Sequence, residues 1–280
     1  DVAVTDARGK GVRTLTTLNA DLLGHKTLGK VERLTWQSSA DQREIEGWLV
    51  TPPQFDASRQ YPLILEIHGG PFTAYGPNFS VEIQRYAAAG YMVLYANLIH
   101  HAYPGNDYDD LMSGVDAVLA RGNVDPQQLF VTGGSGGGVL TAWIVGKTDR
   151  FRAAVVAKPV INWTSFVLTA DMYNFFYRYW FSAPPWEAQD EYWRRSPLSL
   201  VGNVKTPTML LTGEADFRTP IGEAEQFYQA LKLRDVPTLM VRLPQASHGM
   251  TGRPSQFIAK IDNILAWFER YRGVPAAQAN

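Results

Sequence analysis

Polar and apolar residues follow two different patterns along this chain, and the change falls at Pro52-Pro53. Before it, strand-like runs at residues 2–4 and 12–18 predict one antiparallel hairpin, and runs at 32–37 and 45–50 predict a second. After it, nearly continuous apolar runs, typical of strands buried in a parallel sheet, are separated by segments of helical periodicity. These runs predict strands at 63–67, 91–96, 129–132, 153–157, 208–212 and 239–243, and helices at 81–89, 108–120, 139–147, 222–233 and 255–271.

The order of these elements predicts the fold class. Hairpins followed by βα units are typical of an α/β protein with a mixed, mostly parallel twisted sheet, here of about eight strands, and helices on both faces. A chain of 280 residues is long enough to bury the core of one such domain.

Composition excludes some partners and leaves the compartment open. The net charge of -1 gives no electrostatic reason to expect binding to nucleic acid or to an anionic membrane. No apolar run approaches the roughly 18 residues of a membrane span. The absence of cysteine excludes disulfides and thiolate metal sites but does not choose between cytoplasm and periplasm. His100-His101 has no carboxylate-rich motif nearby, so we expect neither a metal nor a cofactor.

One serine is surrounded by glycines between a predicted strand and a predicted helix. The segment reads Gly133-Gly134-Ser135-Gly136-Gly137, and G-x-S-x-G in this context is typical of the nucleophile elbow of α/β hydrolases. A dinucleotide fingerprint and a phosphate-binding loop need spacings that this segment lacks. We therefore predict that Ser135 is a nucleophile in a strained backbone conformation. Gly133 and Gly137 are expected to remove β-carbons that would collide with the strand and helix.

A serine nucleophile needs a base, and the base needs an acid that orients it. In α/β hydrolases both follow the serine along the chain, and His248 is the only histidine after Ser135. The loop after the preceding predicted strand offers two carboxylates, Glu214 and Asp216. We prefer Asp216, because it lies deeper in the loop, where the chain can turn toward His248. Glu214 is expected to be a solvated carboxylate.

Acyl transfer also needs two hydrogen-bond donors for the oxyanion. The Gly136 amide directly follows the nucleophile at the N-terminus of a predicted helix, which predicts the first donor. The second usually comes from the loop after the third strand of the fold, which here reads His68-Gly69-Gly70-Pro71. His68 itself is expected to pack behind this loop.

Several segments then occur together in one order along the chain. They are Glu46-Gly47-Trp48-Leu49, His68-Gly69-Gly70-Pro71, Gly133 to Gly138, Ala157 to Trp163, Ser196-Pro197-Leu198, Gly213 to Asp216 and Ser247-His248-Gly249. As a set, over residues 31–271, they resemble the catalytic domain of the prolyl oligopeptidase family of serine peptidases, in its acylaminoacyl-peptidase and dipeptidyl-peptidase branches. The resemblance implies a triad of Ser135, Asp216 and His248, with Gly70 and Gly136 as the oxyanion hole.

The resemblance also implies where the substrate binds. In related peptidases, side chains after a Pro-Val motif line the pocket for the residue before the scissile bond. Here Pro159-Val160 opens an aromatic-rich segment, which implies an apolar pocket formed by Val160, Trp163 and Phe166.

Two departures from the family concern the surroundings of the site. Family members carry an N-terminal β-propeller. The chain is therefore expected to contain a catalytic domain at residues 21–280, with residues 1–20 as a linker or remnant hairpin of a propeller that is missing here. Relatives also continue into a longer loop after the strand that precedes Asn97, so that loop is either truly short or incomplete.

The function that follows is hydrolysis of short peptides through an acyl-enzyme. A carboxylesterase is the alternative within catalysis, because the same triad acts on esters and amides. A catalytically silent hydrolase fold used as an interaction domain is the alternative outside it. Arg194-Arg195 is expected to be a solvated helix face, with binding of a peptide carboxylate or carbonyl by either arginine as the alternative.

Overall fold

The computed structural model describes residues 1–70, 75–96 and 103–273. Its strands are β1 (Ala3–Val4), β2 (Arg13–Thr14), β3 (Val31–Gln37), β4 (Glu44–Val50), β5 (Tyr61–Ile67), β6 (Met92–Ala96), β7 (Val124–Gly134), β8 (Ala153–Ala157), β9 (Thr208–Gly213) and β10 (Thr238–Leu243). Its helices are α1 (Ala20–Leu23), α2 (Val81–Ala88), α3 (Asp107–Leu119), α4 (Gly136–Lys147), α5 (Trp163–Thr169), α6 (Tyr173–Trp180), α7 (Gln189–Arg195), α8 (Ile221–Leu233) and α9 (Pro254–Tyr271), with a 3₁₀ helix at Pro197–Asn203.

Strands β3 to β10 form one sheet in the order β10-β9-β8-β7-β5-β6-β4-β3 in the described part of the chain. Strand β4 is antiparallel to both of its neighbours, and the pairs from β6 across to β10 are parallel. The predicted mixed, mostly parallel sheet of about eight strands is therefore confirmed. The second predicted hairpin is β3–β4 at the sheet edge.

The first predicted hairpin stands apart from this sheet. Strands β1 and β2 pair only over Ala3↔Thr14 and Val4↔Arg13, and all four residues are exposed. The assignment of residues 1–20 to a propeller or linker stays a prediction.

Helices cover both faces of the sheet, as predicted. Within β5, the side chains of Leu63, Leu65 and Ile67 join the core under α3, α4 and α8, whereas Ile64 joins the core under α2 and α9. Because both faces are buried, the inner strands have no polar side, which explains their continuous apolar runs.

The sequence analysis gave no bounds for the helices between β8 and β9, although it expected Arg194-Arg195 to lie on a helix. Helices α5, α6 and α7 have seven or eight residues each, which is too short for a clear apolar periodicity, and Pro184-Pro185 interrupts the segment. The amide of Asp171 donates to the carbonyl of Phe217 at 2.9 Å, which joins this segment to the loop after β9. The helices therefore lie at the carboxyl edge of the sheet, where α/β folds place their sites.

None of the helices in the described ranges combines the length and the apolar character needed to cross a membrane. His100, His101 and the start of the loop after Asn97, which was expected to be either truly short or incomplete, lie outside the described residues.

Candidate active site

Ser135 lies in a sharp turn between the last residue of β7 and the first residue of α4. Its backbone angles are φ 60° and ψ -119°, a conformation that residues with a β-carbon adopt at an energetic cost. The Ser135 amide donates to the Ala157 carbonyl at 3.1 Å, and its own carbonyl accepts from the Val139 amide at 3.1 Å. These contacts with β8 and α4 hold the strained turn that the sequence predicted.

Two glycines allow the backbone segments around this turn to approach one another. A β-carbon on Gly137 would lie 1.9 Å from the Ile67 carbonyl oxygen at the end of β5. A β-carbon on Gly133 would lie 2.6 Å from the Gly137 carbonyl oxygen and 2.8 Å from that of Ile67. Real β-carbons essentially never approach so closely, so the predicted requirement for glycine at both positions is confirmed.

A chain of hydrogen bonds connects Ser135 to a histidine and a carboxylate. His248 Nε2 lies 3.0 Å from Ser135 Oγ, and His248 Nδ1 lies 2.8 Å from Asp216 Oδ2. The three residues come from the β7–α4 turn, the loop after β9 and the loop after β10. The imidazole is therefore placed to accept the hydroxyl proton while the carboxylate holds its other nitrogen.

Asp216 is buried, and several donors compensate for its burial. Its Oδ1 accepts the backbone amides of Arg218 at 3.0 Å and Thr219 at 2.9 Å, and its Oδ2 accepts the Thr219 hydroxyl at 3.0 Å. Burial by itself raises the pKa of Asp216. The hydrogen bond and charge of His248, with the Thr219 donors, outweigh burial and lower the pKa below its usual value. The carboxylate is thus kept ionised.

The other carboxylate of this loop points elsewhere. Glu214 is exposed and forms an ion pair with Arg242 at 3.3 Å. The structure thus brings Asp216 to His248 and leaves Glu214 at the surface, as the sequence analysis expected. Thr219, which supplies two of the hydrogen bonds to Asp216, was not identified by the sequence analysis.

The loop after β5 packs directly against the serine. A β-carbon on Gly69 would lie 3.0 Å from the Gly134 carbonyl oxygen and 3.1 Å from Cβ of Ser135. Gly70 and Gly136 line one cavity together with Ser135. His68 is buried, and its ring packs edge-on against Tyr75 with 5.3 Å between centroids. Pro71, the last residue of the predicted motif, lies outside the described residues.

This cavity, which we call the aromatic pocket, has a volume of about 90 Å³. The three side chains proposed for it from the sequence, Val160, Trp163 and Phe166, are buried and line it. Further lining side chains come from α6 and from the residues before α3, namely Tyr103, Met172, Phe175, Phe176 and Trp180. The pocket therefore also includes Phe175, Phe176 and Trp180, which the sequence analysis did not assign to it.

The interpretation of Arg194-Arg195 as a solvated face is wrong for Arg195. Its side chain is only 12% exposed and lies 4.6 Å from the centroid of the Phe181 ring. It donates to the main-chain carbonyls of Tyr103 and Trp180, both of which line the aromatic pocket. Arg195 therefore ties together two walls of the pocket, a role that no local sequence pattern indicates.

Comparison with known proteins gives a consistent result. The sequence profile of the prolyl oligopeptidase family matches residues 77–274. The chain is 39% identical over 279 residues, 94% of its length, to the uncharacterized peptidase YuxL of Bacillus subtilis. It is 32% identical over 231 residues, 75% of its length, to the acylamino-acid-releasing enzyme of Arabidopsis thaliana.

Among solved structures, the acylaminoacyl peptidase of Pyrococcus horikoshii superposes with a TM-score of 0.88 at 23% identity, over 99% of this chain. The match covers 48% of that structure, and the chain spans 42% and 30% of the two curated relatives. The fold prediction and the family resemblance are thereby confirmed. The chain belongs to the prolyl oligopeptidase family.

Proposed function

We propose that this chain is the catalytic domain of a serine peptidase that hydrolyses short peptides through an acyl-enzyme on Ser135. The observation that carries the proposal is the hydrogen-bonded series Ser135–His248–Asp216, with separations of 3.0 and 2.8 Å. Membership of the prolyl oligopeptidase family supports peptides as the substrate class.

In this mechanism, Ser135 Oγ attacks the substrate carbonyl carbon while its proton passes to His248 Nε2. Asp216 fixes the imidazole tautomer and stabilises the imidazolium that forms. The amides of Gly70 and Gly136 donate to the oxyanion of the tetrahedral intermediate. His248 then gives the proton to the leaving amine as the C–N bond breaks. A water molecule, deprotonated by His248, attacks the acyl-enzyme and releases the acid and free Ser135.

The aromatic pocket is proposed to hold the side chain on the acyl side of the scissile bond. Val160, Trp163 and Phe166 line it together with Ser135 and Gly136, so a side chain seated there lies next to the reacting carbonyl. Its walls are mostly aromatic and aliphatic, which favours an apolar side chain.

We also propose that residues 21–280 act beneath an N-terminal β-propeller in the parent protein, to which residues 1–20 lead. The chain spans less than half of its matched relatives, which leaves room for such a domain in a protein of their length.

The proposal is tested by labelling the purified chain with a fluorophosphonate probe and measuring hydrolysis of two substrate classes. The wild-type chain is expected to be labelled, and Ser135→Ala is expected to lose all labelling. We expect turnover of N-acyl-aminoacyl or other aminoacyl anilides as well as of short-chain esters. Labelling that survives Ser135→Ala refutes the nucleophile, activity on esters alone indicates a carboxylesterase, and an unlabelled, inactive wild type indicates a silent fold.

A further inference from the structure

A second cavity opens beside Ser135, with a volume of about 460 Å³. We call it the charged cavity, because four of its lining side chains are lysines or glutamates: Glu66, Glu82, Lys158 and Lys260. Gly69, Gly70 and Gly134 form its wall next to the serine. Its polar character contrasts with that of the aromatic pocket, although both cavities reach the same nucleophile.

The position of His248 indicates which part of a substrate would enter the charged cavity. In the proposed mechanism His248 gives its proton to the leaving group, so the leaving group must lie at the imidazole. In the described part of the chain, His248 lines the charged cavity and does not line the aromatic pocket. The acyl side chain and the leaving group are thus separated by Ser135.

Two of the cations at this cavity are already neutralised. Lys260 on α9 lies 2.7 Å from a carboxylate oxygen of Glu82 on α2, and both side chains are mostly buried. Arg218, which also lines the cavity, lies 2.7 Å from Asp171. Neither cation therefore needs an external partner.

Glu66 contributes a buried acid rather than a free negative charge. It is 7% exposed, and one of its oxygens accepts the Tyr75 hydroxyl at 3.2 Å. Its other oxygen, Oε2, is without a hydrogen-bond partner among the residues that the structure describes. Burial raises the pKa of Glu66 well above its usual range, which favours the neutral acid. In its neutral form Glu66 does not neutralise a cation at this cavity.

Lys158 is the cation that remains. Its ammonium has no carboxylate within 4.0 Å in the described ranges. The backbone of Lys158 has φ 40°, which is unusual for a residue with a β-carbon, and its amide donates to the Leu211 carbonyl at 2.7 Å. Burial, followed by repulsion from Lys260, lowers its pKa to about 8, so the group is still mainly protonated at neutral pH. The structure thus holds an unpaired ammonium beside the nucleophile.

The ammonium lies within reach of a short leaving group. A β-carbon on Gly134 would lie 2.8 Å from Cε and 3.8 Å from Nζ of Lys158, so the lysine side chain passes directly over this glycine. Gly134 directly precedes Ser135, and consecutive Cα atoms are about 3.8 Å apart. An extended peptide advances about 3.3–3.6 Å per residue, so a carboxylate one or two residues beyond the scissile bond reaches this ammonium.

We propose that Lys158 binds the C-terminal carboxylate of a leaving group one or two residues long, so that the charged cavity selects substrates cut at their last or second-last peptide bond. This inference rests on the proposed function and adds the substrate class on the leaving-group side.

The test compares blocked dipeptides that differ only at the C-terminus, N-acetyl-Phe-Ala and its C-terminal amide. The readout is the ratio of kcat/KM for the acid to kcat/KM for the amide within each variant, so losses common to both substrates cancel. We expect the wild type to favour the acid about tenfold or more, as a charge-assisted hydrogen bond allows. Lys158→Met is expected to bring the ratio to about one, and Lys158→Arg to keep part of the preference.

Lys205→Met is the matched control, because that lysine is 78% exposed and is not among the residues that line the two cavities at Ser135. It is expected to leave the ratio and the activity unchanged. With the wild-type enzyme, substrates whose leaving group is four residues long are expected to show no preference for the acid over the amide.

A pH series provides a second readout. The preference should weaken as the pH rises through about 8, because Lys158 loses its charge there. Any effect of pH that is common to both substrates cancels in the ratio. The titratable groups that surround Lys158 at the cavity are Glu66 on β5, Glu82 on α2, Lys260 on α9, and Tyr75, Asp216, Arg218 and His248 in loops.

The outcomes separate the two proposals. A wild type that hydrolyses aminoacyl anilides but treats acid and amide equally refutes the role of Lys158 and leaves the proposed function standing. A preference that persists in Lys158→Met, or that does not change across pH 8, also refutes it. A wild type that hydrolyses neither peptides nor anilides refutes both.

Discussion

Adding one methyl group at Gly137 should disturb both sides of the candidate active site. The new β-carbon would lie 1.9 Å from the Ile67 carbonyl oxygen, whereas an ordinary contact needs at least 3.4 Å, so the two must separate by about 1.5 Å. Either the end of β5 moves, carrying the loop with Gly70, or the start of α4 moves, carrying Ser135. The Ile67 oxygen belongs to the backbone, and the backbone also fixes the position of the new β-carbon, so no side-chain rotation relieves the clash.

We expect Gly137→Ala to lower the free energy of unfolding by about 1–3 kcal/mol, the usual cost of an extra methyl group in a packed interior. Displacing reacting groups by about 1 Å costs roughly 100-fold in rate, and kcat/KM should fall by at least that factor. Urea unfolding followed by tryptophan fluorescence gives the first quantity, and anilide hydrolysis gives the second.

Gly222→Ala is the matched control, because it adds the same methyl group near the start of α8 with nothing within 4 Å. It should leave activity unchanged and the free energy of unfolding unchanged or slightly higher, since alanine is favoured over glycine in helices by about 1 kcal/mol. If Gly137→Ala retained wild-type stability and activity, the close crossing of β5 and α4 would not constrain the site, and our argument would be wrong.

Four further predictions concern the triad and the pocket. Asp216→Asn should lower kcat by a factor on the order of 10⁴ with folding intact, whereas Glu214→Gln should change little; the reverse result would exchange their roles. Because folding lowers the pKa of Asp216, the ionised carboxylate stabilises the fold above the unfolded-state pKa, and this stabilisation is lost as the pH falls through the folded-state pKa. When the free energy of unfolding is measured as a function of decreasing pH, Asp216→Asn should lack this acid-dependent loss of stability. Arg195→Met should leave two pocket-wall carbonyls without their donor, which lowers the free energy of unfolding by about 1–3 kcal/mol for each buried group and raises KM for apolar substrates. An unchanged midpoint of thermal unfolding together with an unchanged KM would contradict this. Val160→Phe should fill part of a pocket of about 90 Å³ and lower kcat/KM more for phenylalanyl than for alanyl substrates, and an equal effect on both would exclude Val160 from the pocket.

The sequence by itself determined the order of the strands and main helices along the chain and the position of the nucleophile. Apolar runs and helical periodicity are local properties, because a residue's partners within a strand or helix lie only a few positions away. The elbow at Ser135 is equally local, since its glycines answer a backbone constraint within one turn. His248 could be named because chain order left no other histidine after the serine.

Only the tertiary structure decided which side chains complete the two cavities at that serine, beyond those that the sequence had named. Tyr103 and Trp180 join the aromatic pocket, and Arg195 bonds to both, although up to 92 residues separate these partners along the chain. Lys158 follows β8 with no signal except its neighbours in a motif, and its free charge emerges only because Glu82 is paired with Lys260 and Glu66 is buried. Local patterns fix the backbone of each element. Contacts between distant elements depend on how those elements pack, and burial by that packing sets the charge of each group.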